Sequence, residues 1–199
     1  MDVNQFRRFW QQHFSDCPPV SYLFKYNLVD RWFRFHSLPE SKRYAEDETE
    51  FAELLARQNI VLLDVIGTNA ECILVSGNYA DSPLVENLKG CPALAEFEFQ
   101  EFVRLSKQDF DPEDLEPDEE PIYLSLFCGI HKLKHGSLDG ILLCIANEQI
   151  RNFFVVSCER RRIFAPYDGG VDVILKDAKE RDVFKAKYKD WLSRHPAGL

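Results

Sequence analysis

Residues 153–175 read F-F-V-V-S-C-E-R-R-R-I-F-A-P-Y-D-G-G-V-D-V-I-L, and this stretch decides the class of fold. It holds three short apolar runs, separated by a charged turn at 159–162 and a glycine-containing turn at 166–170. Apolar runs joined by tight turns are typical of β-hairpins, and the glycine of Asp-Gly is expected to supply the positive φ that such turns use. The stretch therefore predicts an antiparallel meander of three strands.

Four further segments have the spacing of amphipathic helices. Each follows a residue that caps helix N-termini well, and these residues are Asn4, Asp47, Asp139 and Asp177. The helix after Asp47 carries the longest apolar stripe and is expected to close at Gly67. The last helix is expected to carry Tyr188, Trp191 and Leu192 on its apolar side.

Alternation of apolar and polar residues predicts strands outside the meander as well. These strands are expected at 31–38, 72–75, 97–105 and 122–130. In the first of them Phe33 and Phe35 face one side of the sheet, and Arg34 and His36 face the other. Strands in hairpin order, with helices at both ends and in the middle, indicate an α+β fold: a mostly antiparallel sheet flanked by N-terminal, central and C-terminal helices.

Two segments are less regular. Residues 20–30 fit a helix as well as a strand, and Gly77 and Asn78 predict a loop after the strand at 72–75. No internal repeat and no Gly- or Ser-rich linker divides the chain. We therefore expect one domain over 1–199, long enough to bury a substantial core rich in phenylalanine.

Most of the net charge lies in one segment. The formal net charge is −9, and D-F-D-P-E-D-L-E-P-D-E-E at 109–120 contains eight acidic and no basic residues, which leaves −1 for the rest. Binding to DNA or RNA is disfavoured, because it needs an excess of Lys and Arg on one face. An acidic connection between two strands suits a basic protein partner, with Phe110 and Leu115 as apolar anchors. The residues expected to bind this partner are Asp111, Glu113, Asp114, Glu116, Asp118 and Glu119.

The apolar runs are too short for a signal peptide or a membrane span, so we expect a cytoplasmic protein without membrane contact. Its six cysteines are scattered without a C-x-x-C pair. In a reducing compartment they are expected to be unpaired thiols that fill the core.

Cations and hydroxyls are concentrated at 32–44, W-F-R-F-H-S-L-P-E-S-K-R-Y. Arg binds phosphate or carboxylate through its two-pronged guanidinium, and Lys does so as a point charge. The residues expected at such an anion site are Arg34, His36, Ser41, Lys42 and Arg43. If the site exists, Asp168 or Asp172 of the glycine turn should lie nearby in the same pocket, and the cations should be free of acidic partners within the protein. The competing interpretation is that the two arginines simply pair with the acids at 46–48.

Other polar groupings give weaker indications. The spacing C-x2-H-x3-H at Cys128, His131 and His135 lacks a second half, so ordinary histidines are the favoured interpretation and no metal is expected. Asp168 and Asp172 would suit acid–base work or Mg²⁺, but a hairpin turn already accounts for them. Because G-x-S-x-G, P-loop and dinucleotide motifs are absent, we predict neither catalytic residues nor a cofactor.

Two groups of motifs carry a resemblance to known proteins. The first is the segment at 32–44 with the helix after it, and the second is A-P-Y-D-G-G-V-D-V-I-L followed by R-D-x-F-K-A-K-Y-K-D-W-L-S. Together they resemble a widespread set of small bacterial proteins of unknown function, over 32–67 and 163–193. The resemblance implies a bacterial origin and a recurrent fold, and it transfers no catalytic residue.

Three functions from different classes fit these observations. The first is a non-enzymatic protein-binding module of the immunity or antitoxin kind, which neutralises a basic toxin through the acidic segment. The second is a small enzyme or ligand-binding domain that uses the anion site. The third is a homo-oligomeric scaffold whose aromatic residues cover a subunit interface.

Overall fold

The computed structural model describes residues 1–80, 91–110 and 122–192. In these ranges the helices are α1 Val3–His13, α2 Phe24–Asn27, α3 Glu48–Ile66, α4 Lys107–Phe110, α5 Asp139–Ala146 and α6 Ala178–Lys187. The strands are β1 Trp32–His36, β2 Glu71–Ala80, β3 Gln100–Ser106, β4 Tyr123–Lys132, β5 Asn152–Ser157, β6 Arg162–Tyr167 and β7 Gly170–Ile174. These strands form one antiparallel sheet, which confirms the predicted α+β class.

The predicted meander is confirmed, because β5 pairs with β6 and β6 pairs with β7. The order across the sheet is β1-β7-β6-β5-β2-β4-β3. β1 lies at one edge beside β7, with Arg34 directly opposite Asp172. This register brings the two sequence motifs at 32–44 and 166–172 to the same corner of the molecule.

Both faces of the sheet are covered, and each has its own core. On one face α3, α5 and α6 pack against alternate strand residues such as Phe35 and Phe164. On the other face α1 and α2 pack against the intervening residues, among them Phe154. The prediction that Phe33 and Phe35 face inward on one side of β1 is confirmed, since both are buried while Arg34 and His36 are partly exposed.

Two helices have the predicted N-cap residue and two do not. Asp47 and Asp177 cap α3 and α6, each accepting a hydrogen bond from the backbone three residues on. For α1 the cap is Asp2 rather than Asn4, because Asp2 and Gln5 bond each other's backbone N–H groups in a reciprocal capping box. Asp139 lies inside α5 as its first residue instead of capping it.

The C-terminus of α3 is held by the charged turn between β5 and β6. Gly67 ends the helix with a φ of 108°, as its position predicted. Arg160 and Arg162 donate hydrogen bonds to the last carbonyls of the helix, at Asp64 and Val65. Cationic side chains at this end also oppose the negative end of the helix dipole.

Two predicted boundaries are wrong, and the segment left open between helix and strand is helical. β2 continues through Gly77 and Asn78 to Ala80 and pairs with β4 along this length. Glycine fits at position 77 because a side chain there would meet Leu126 and Leu124 of β4. Residues 20–30 form short helical turns around α2. The last helix ends at Lys187, so Trp191 and Leu192 lie in the turn after it, where Leu192 bridges to Phe35.

The cysteines are only partly as predicted. Cys17, Cys72 and Cys128 are buried thiols, and burial raises the pKa of Cys128 to about 11. Cys91 and Cys144, however, form a disulfide, which contradicts the expectation of six unpaired thiols. The turn at Pro92–Glu96 packs on α5 and brings the two Cα atoms within 6.1 Å, a separation that a disulfide spans.

The acidic segment joins β3 to β4, as predicted. Its six candidate partner-binding residues, Asp111, Glu113, Asp114, Glu116, Asp118 and Glu119, lie outside the described residues. Phe110 is 8% exposed within the core beside α1 and α2, so it is not an anchor for a partner. Asp109 accepts two hydrogen bonds from Ser106, which lower the pKa of its carboxyl.

No helix among the described residues combines the length and the apolar character that crossing a bilayer requires.

Candidate functional site

A cleft of about 440 Å³ opens at the corner where β1 ends and β6 turns into β7. It lies on the sheet face that carries α1 and α2, because Arg34, Asp172 and Tyr167 all point to that side. Its charged and titratable lining residues are Arg34, His36, Arg43, Arg151, Tyr167, Asp168 and Asp172. The two sequence motifs therefore converge on one cleft, as predicted. The accompanying expectation, that the cations have no acidic partners within the protein, is wrong for Arg34 and Arg43, which pair with Asp172 and Asp168.

Arg34 and Asp172 form a buried ion pair on the cleft floor. Arg34 Nε donates to Asp172 Oδ1 at 2.7 Å and Arg34 Nη2 donates to Oδ2 at 2.8 Å. Trp32 Nε1 adds a third hydrogen bond to Oδ1, at 2.9 Å. Burial by itself lowers the pKa of Arg34, but the hydrogen bonds and the charge of Asp172 outweigh it and raise this pKa.

The Arg34 guanidinium also lies over the Tyr167 ring, 4.5 Å from its centroid. Burial raises the pKa of the Tyr167 hydroxyl, so this group stays protonated. Arg34 is therefore held by contacts within the protein, with Asp172 and with the Tyr167 ring. It forms part of the cleft floor, and other cations are better placed to contact a ligand.

Arg43 pairs with Asp168 at the mouth of the cleft. Its Nε and Nη2 both approach Asp168 Oδ2, at 2.8 and 2.7 Å, while Oδ1 accepts from the Gly169 backbone. The Arg43 side chain is 62% exposed. Neither arginine pairs with residues 46–48, so that competing interpretation is wrong for both of them.

The glycines of the turn are needed because neighbouring atoms lie close to their Cα atoms, and not because the turn has a positive φ. Gly169 and Gly170 both lie outside the left-handed region, contrary to the expectation from Asp-Gly. A Cβ on Gly170 would lie 2.2 Å from the Phe35 carbonyl oxygen, and one on Gly169 would lie 3.0 Å from Arg43 Cγ. Glycine is therefore what lets β1 and Arg43 lie against the hairpin.

His36 lines the cleft beside Arg34. Burial lowers the pKa of its ring, the Arg34 charge lowers it further, and a hydrogen bond with the Gly169 backbone offsets part of the effect. Its Nε2 is buried and has no hydrogen-bond partner among the described residues. Because the other ring nitrogen bonds the Gly169 backbone, Nε2 of the neutral ring carries a lone pair rather than a proton and cannot donate to an anion.

Ser41 and Lys42, the other predicted anion-site residues, differ in their roles. Ser41 lines the cleft, in a turn where Glu40 and Ser41 have φ of 54° and 59°. Lys42 does not line it, because Glu50 and Glu46 hold its ammonium at 2.7 and 3.0 Å. Lys42 precedes α3 and pairs with Glu50 in the first turn of that helix, so its assignment to the anion site is wrong.

Arg151, just before β5, is a cleft cation that the sequence did not indicate. It is exposed and makes no ion pair or hydrogen bond within the described part of the chain. Tyr22 and Ser21 reach the cleft from the turn before α2. All three lie outside both motifs, so only the folded chain shows that they line the cleft.

The weaker metal candidates do not assemble. Cys128 faces the core beside α1, whereas His131 lies three residues along the same strand, on the opposite face, against Phe97 and Ser137. In the described ranges no three His, Cys, Asp or Glu side chains are grouped so that they could hold a metal ion. Asp168 and Asp172 share the cleft, each neutralised by an arginine.

Fold and site together define a class of protein: an antiparallel sheet between two helical layers, with an arginine-lined cleft at one corner. The model of one family, described as a domain of unknown function (DUF3885), matches residues 20–196, and the chain belongs to this family. The match includes the middle of the chain, which the motif resemblance did not cover. No curated protein and no solved structure matches the chain.

Proposed function

We propose that this protein is a ligand-binding domain that recognises an anionic group, a carboxylate or a phosphate, in the arginine-lined cleft. The observation that carries the proposal is the convergence of three guanidinium groups on one cleft, of which Arg151 has no acidic partner within the described residues. Arg34 is neutralised by Asp172 and Arg43 by Asp168, so one positive charge remains among the described residues that line the cleft. An anion is the ligand that balances it.

Two cations are placed to contact this ligand. Arg151 is exposed and has no acidic partner among the described residues, and Arg43 is exposed although its Nε and Nη2 are held by Asp168. Guanidinium groups bind carboxylate and phosphate through paired N–H donors. The Ser41 hydroxyl supplies a neutral polar contact at the same cleft. No arrangement of nucleophile and base is required, and the proposal is one of binding.

The test is isothermal titration of the protein with inorganic phosphate and with succinate. The Arg151→Gln variant should raise the dissociation constant about ten- to a hundredfold, because a charge-assisted hydrogen bond contributes about 1.5–3 kcal/mol. Arg8→Gln is the matched control, since Arg8 is an exposed arginine on α1, which packs on β3 at the opposite edge of the sheet. Absence of binding by the wild type, or equal binding by both variants, would contradict the proposal.

A second candidate function rests on the charge of the acidic segment. Eight acids without a base within 109–120 favour a cytoplasmic protein-binding module, of the immunity or antitoxin kind, that neutralises a basic toxin. Replacing the six acids from Asp111 to Glu119 by Asn or Gln should then weaken binding to the toxin and flatten its salt dependence. Unchanged affinity at low salt would remove this candidate.

A homo-oligomeric assembly is a third proposal, with less support. The phenylalanine surplus that suggested it fills the two cores, where eight rings are almost completely buried. These residues are Phe6, Phe14, Phe24, Phe33, Phe35, Phe153, Phe154 and Phe164. Gel filtration with light scattering tests the proposal, and a monomeric mass would reject it.

A further inference from the structure

Exposed tyrosines border the arginine-lined cleft. Tyr22, Tyr26 and Tyr44 are 40%, 66% and 45% exposed. Tyr22 lines the cleft, and Tyr44 lies beside Arg43 and Asp168. Tyr26 lies close enough to Arg34 to contribute to its raised pKa. The fourth strongly exposed tyrosine among the described residues, Tyr79, packs against Phe110 at the end of β2. We call Tyr22, Tyr26 and Tyr44 the tyrosine rim.

The tyrosine rim indicates a ligand larger than a free inorganic anion. Tyr and Arg are the residues enriched where proteins bind other proteins, because their large planar groups make contacts at a low cost in conformational entropy. An inorganic anion held by Arg43 and Arg151 would contact few of these rings. The cleft volume of about 440 Å³ suits a few side chains rather than a single ion.

The charge around the cleft restricts the kind of ligand. Lys25 lies over the Tyr26 ring at 4.7 Å and adds a cation beside the tyrosine rim, whereas Glu148 is the nearby acid that acts on Arg43 and Tyr44. The whole chain nevertheless has a net charge of −9, which repels a long polyanion such as RNA. A short segment with a few carboxylates experiences the local cations without comparable repulsion from the rest of the surface.

We propose that the cleft and the tyrosine rim bind a short acidic peptide segment of a protein partner, with carboxylates at Arg43 and Arg151 and apolar side chains on the tyrosines. This inference rests on the proposed anion recognition and names the source of the anion. It also gives the rim a role that recognition of a free anion does not require.

Selection of short random peptides displayed on phage against the full-length protein tests the partner class. A parallel selection on the Arg43→Gln, Arg151→Gln variant identifies peptides that depend on the cleft. The peptides specific to the wild type should be enriched in Asp and Glu and should contain aromatic or aliphatic residues. Lack of such peptides, or enrichment in Lys and Arg, would overturn the inference.

Affinity measurements then separate this inference from the proposed function. Tyr26→Ala should weaken binding of the selected peptide about tenfold and leave the binding of phosphate and succinate unchanged. Ile60→Ala, at an exposed apolar residue of α3 on the other face of the sheet, should change neither. If phosphate and succinate bind but the peptide binds no tighter than succinate, or oligouridylate binds tighter than the peptide, the peptide inference fails alone. If none of these ligands binds, the anion site fails with it.

Discussion

Arg34 and Asp172 lie opposite each other on neighbouring strands, and their pairing is the strongest interaction at the residue scale. Their side chains are only 14% and 5% exposed, so removing one partner leaves a buried charge without its counter-ion. Asp172→Ala and Arg34→Met should each lower the free energy of unfolding by about 3–5 kcal/mol. Urea unfolding of both variants measures the effect.

The double variant distinguishes a buried ion pair from two independent side chains. With both charges removed, neither is left unpaired, so the loss should be clearly smaller than the sum of the two single losses. Strict additivity of the three measured values would show that the two groups do not act as a pair.

His36 should make stability depend on pH. Its pKa in the folded protein is lowered from the ordinary 6.5, chiefly by burial and then by Arg34. Between the two pKa values the unfolded chain binds more protons than the folded chain, so stability falls as the pH drops from about 6.5 through the folded-state pKa. His131, whose pKa is also lowered by burial, contributes in the same direction.

Urea unfolding of the wild type and of His36→Gln between neutral and mildly acidic pH measures this contribution. The variant should lose less stability on acidification than the wild type, with the remaining slope including the share of His131. Superimposable pH profiles would show that His36 is not buried beside Arg34 as described.

For single residues, the sequence correctly predicted which face of a strand a side chain lies on, because alternation along the strand determines it. The alternation in 31–38 correctly placed Arg34 and His36 on one face of β1. It could not assign Lys42, because the choice between the cleft and Glu50 depends on how the chain turns after the strand. Arg151 was missed because no local pattern shows that the start of β5 lies near the end of β1.

At the scale of elements, existence and type were predictable and boundaries were not. The meander was recognised from its turns, although β5 and β7 are buried on both faces and show no alternation. The end of β2 was misplaced because Gly77 usually breaks a strand, whereas here it makes room for Leu126 on β4. Such a close approach depends on a pairing between distant segments.

The disulfide gives a prediction for two elements, the Pro92–Glu96 turn and α5. Cys91 and Cys144 are 53 residues apart, and a disulfide across such a span stabilises by about 2–4 kcal/mol. Adding a reductant should therefore lower the thermal midpoint of the oxidised wild type. The Cys91→Ala, Cys144→Ala variant should start from a lower midpoint and be insensitive to the reductant.

Cys72→Ala is a suitable control, since Cys72 is a buried unpaired thiol and its variant should keep the response to reductant. Equal melting of oxidised and reduced wild type would contradict the stabilising role of the Cys91–Cys144 bond. Mass spectrometry after alkylation under non-reducing conditions confirms independently which thiols are paired.

At the scale of the whole molecule, charge separates two regions. The segment at 109–120 carries almost all the net negative charge, whereas the cleft at the corner of β1, β6 and β7 collects cations. The composition revealed the first region because it is contiguous in sequence. The second is assembled from segments more than a hundred residues apart, so the folded chain was needed to reveal it.

The central claim is that the cleft binds an anion through Arg43 and Arg151, and two variants with opposite effects test it most directly. The measurement is the dissociation constant of whichever anion, phosphate or succinate, binds the wild type more tightly. Asp168→Asn should lower it several-fold, because the substitution removes a negative charge from the cleft and releases Arg43, whereas Arg151→Gln should raise it about tenfold or more. Equal dissociation constants for the wild type and both variants would contradict the claim.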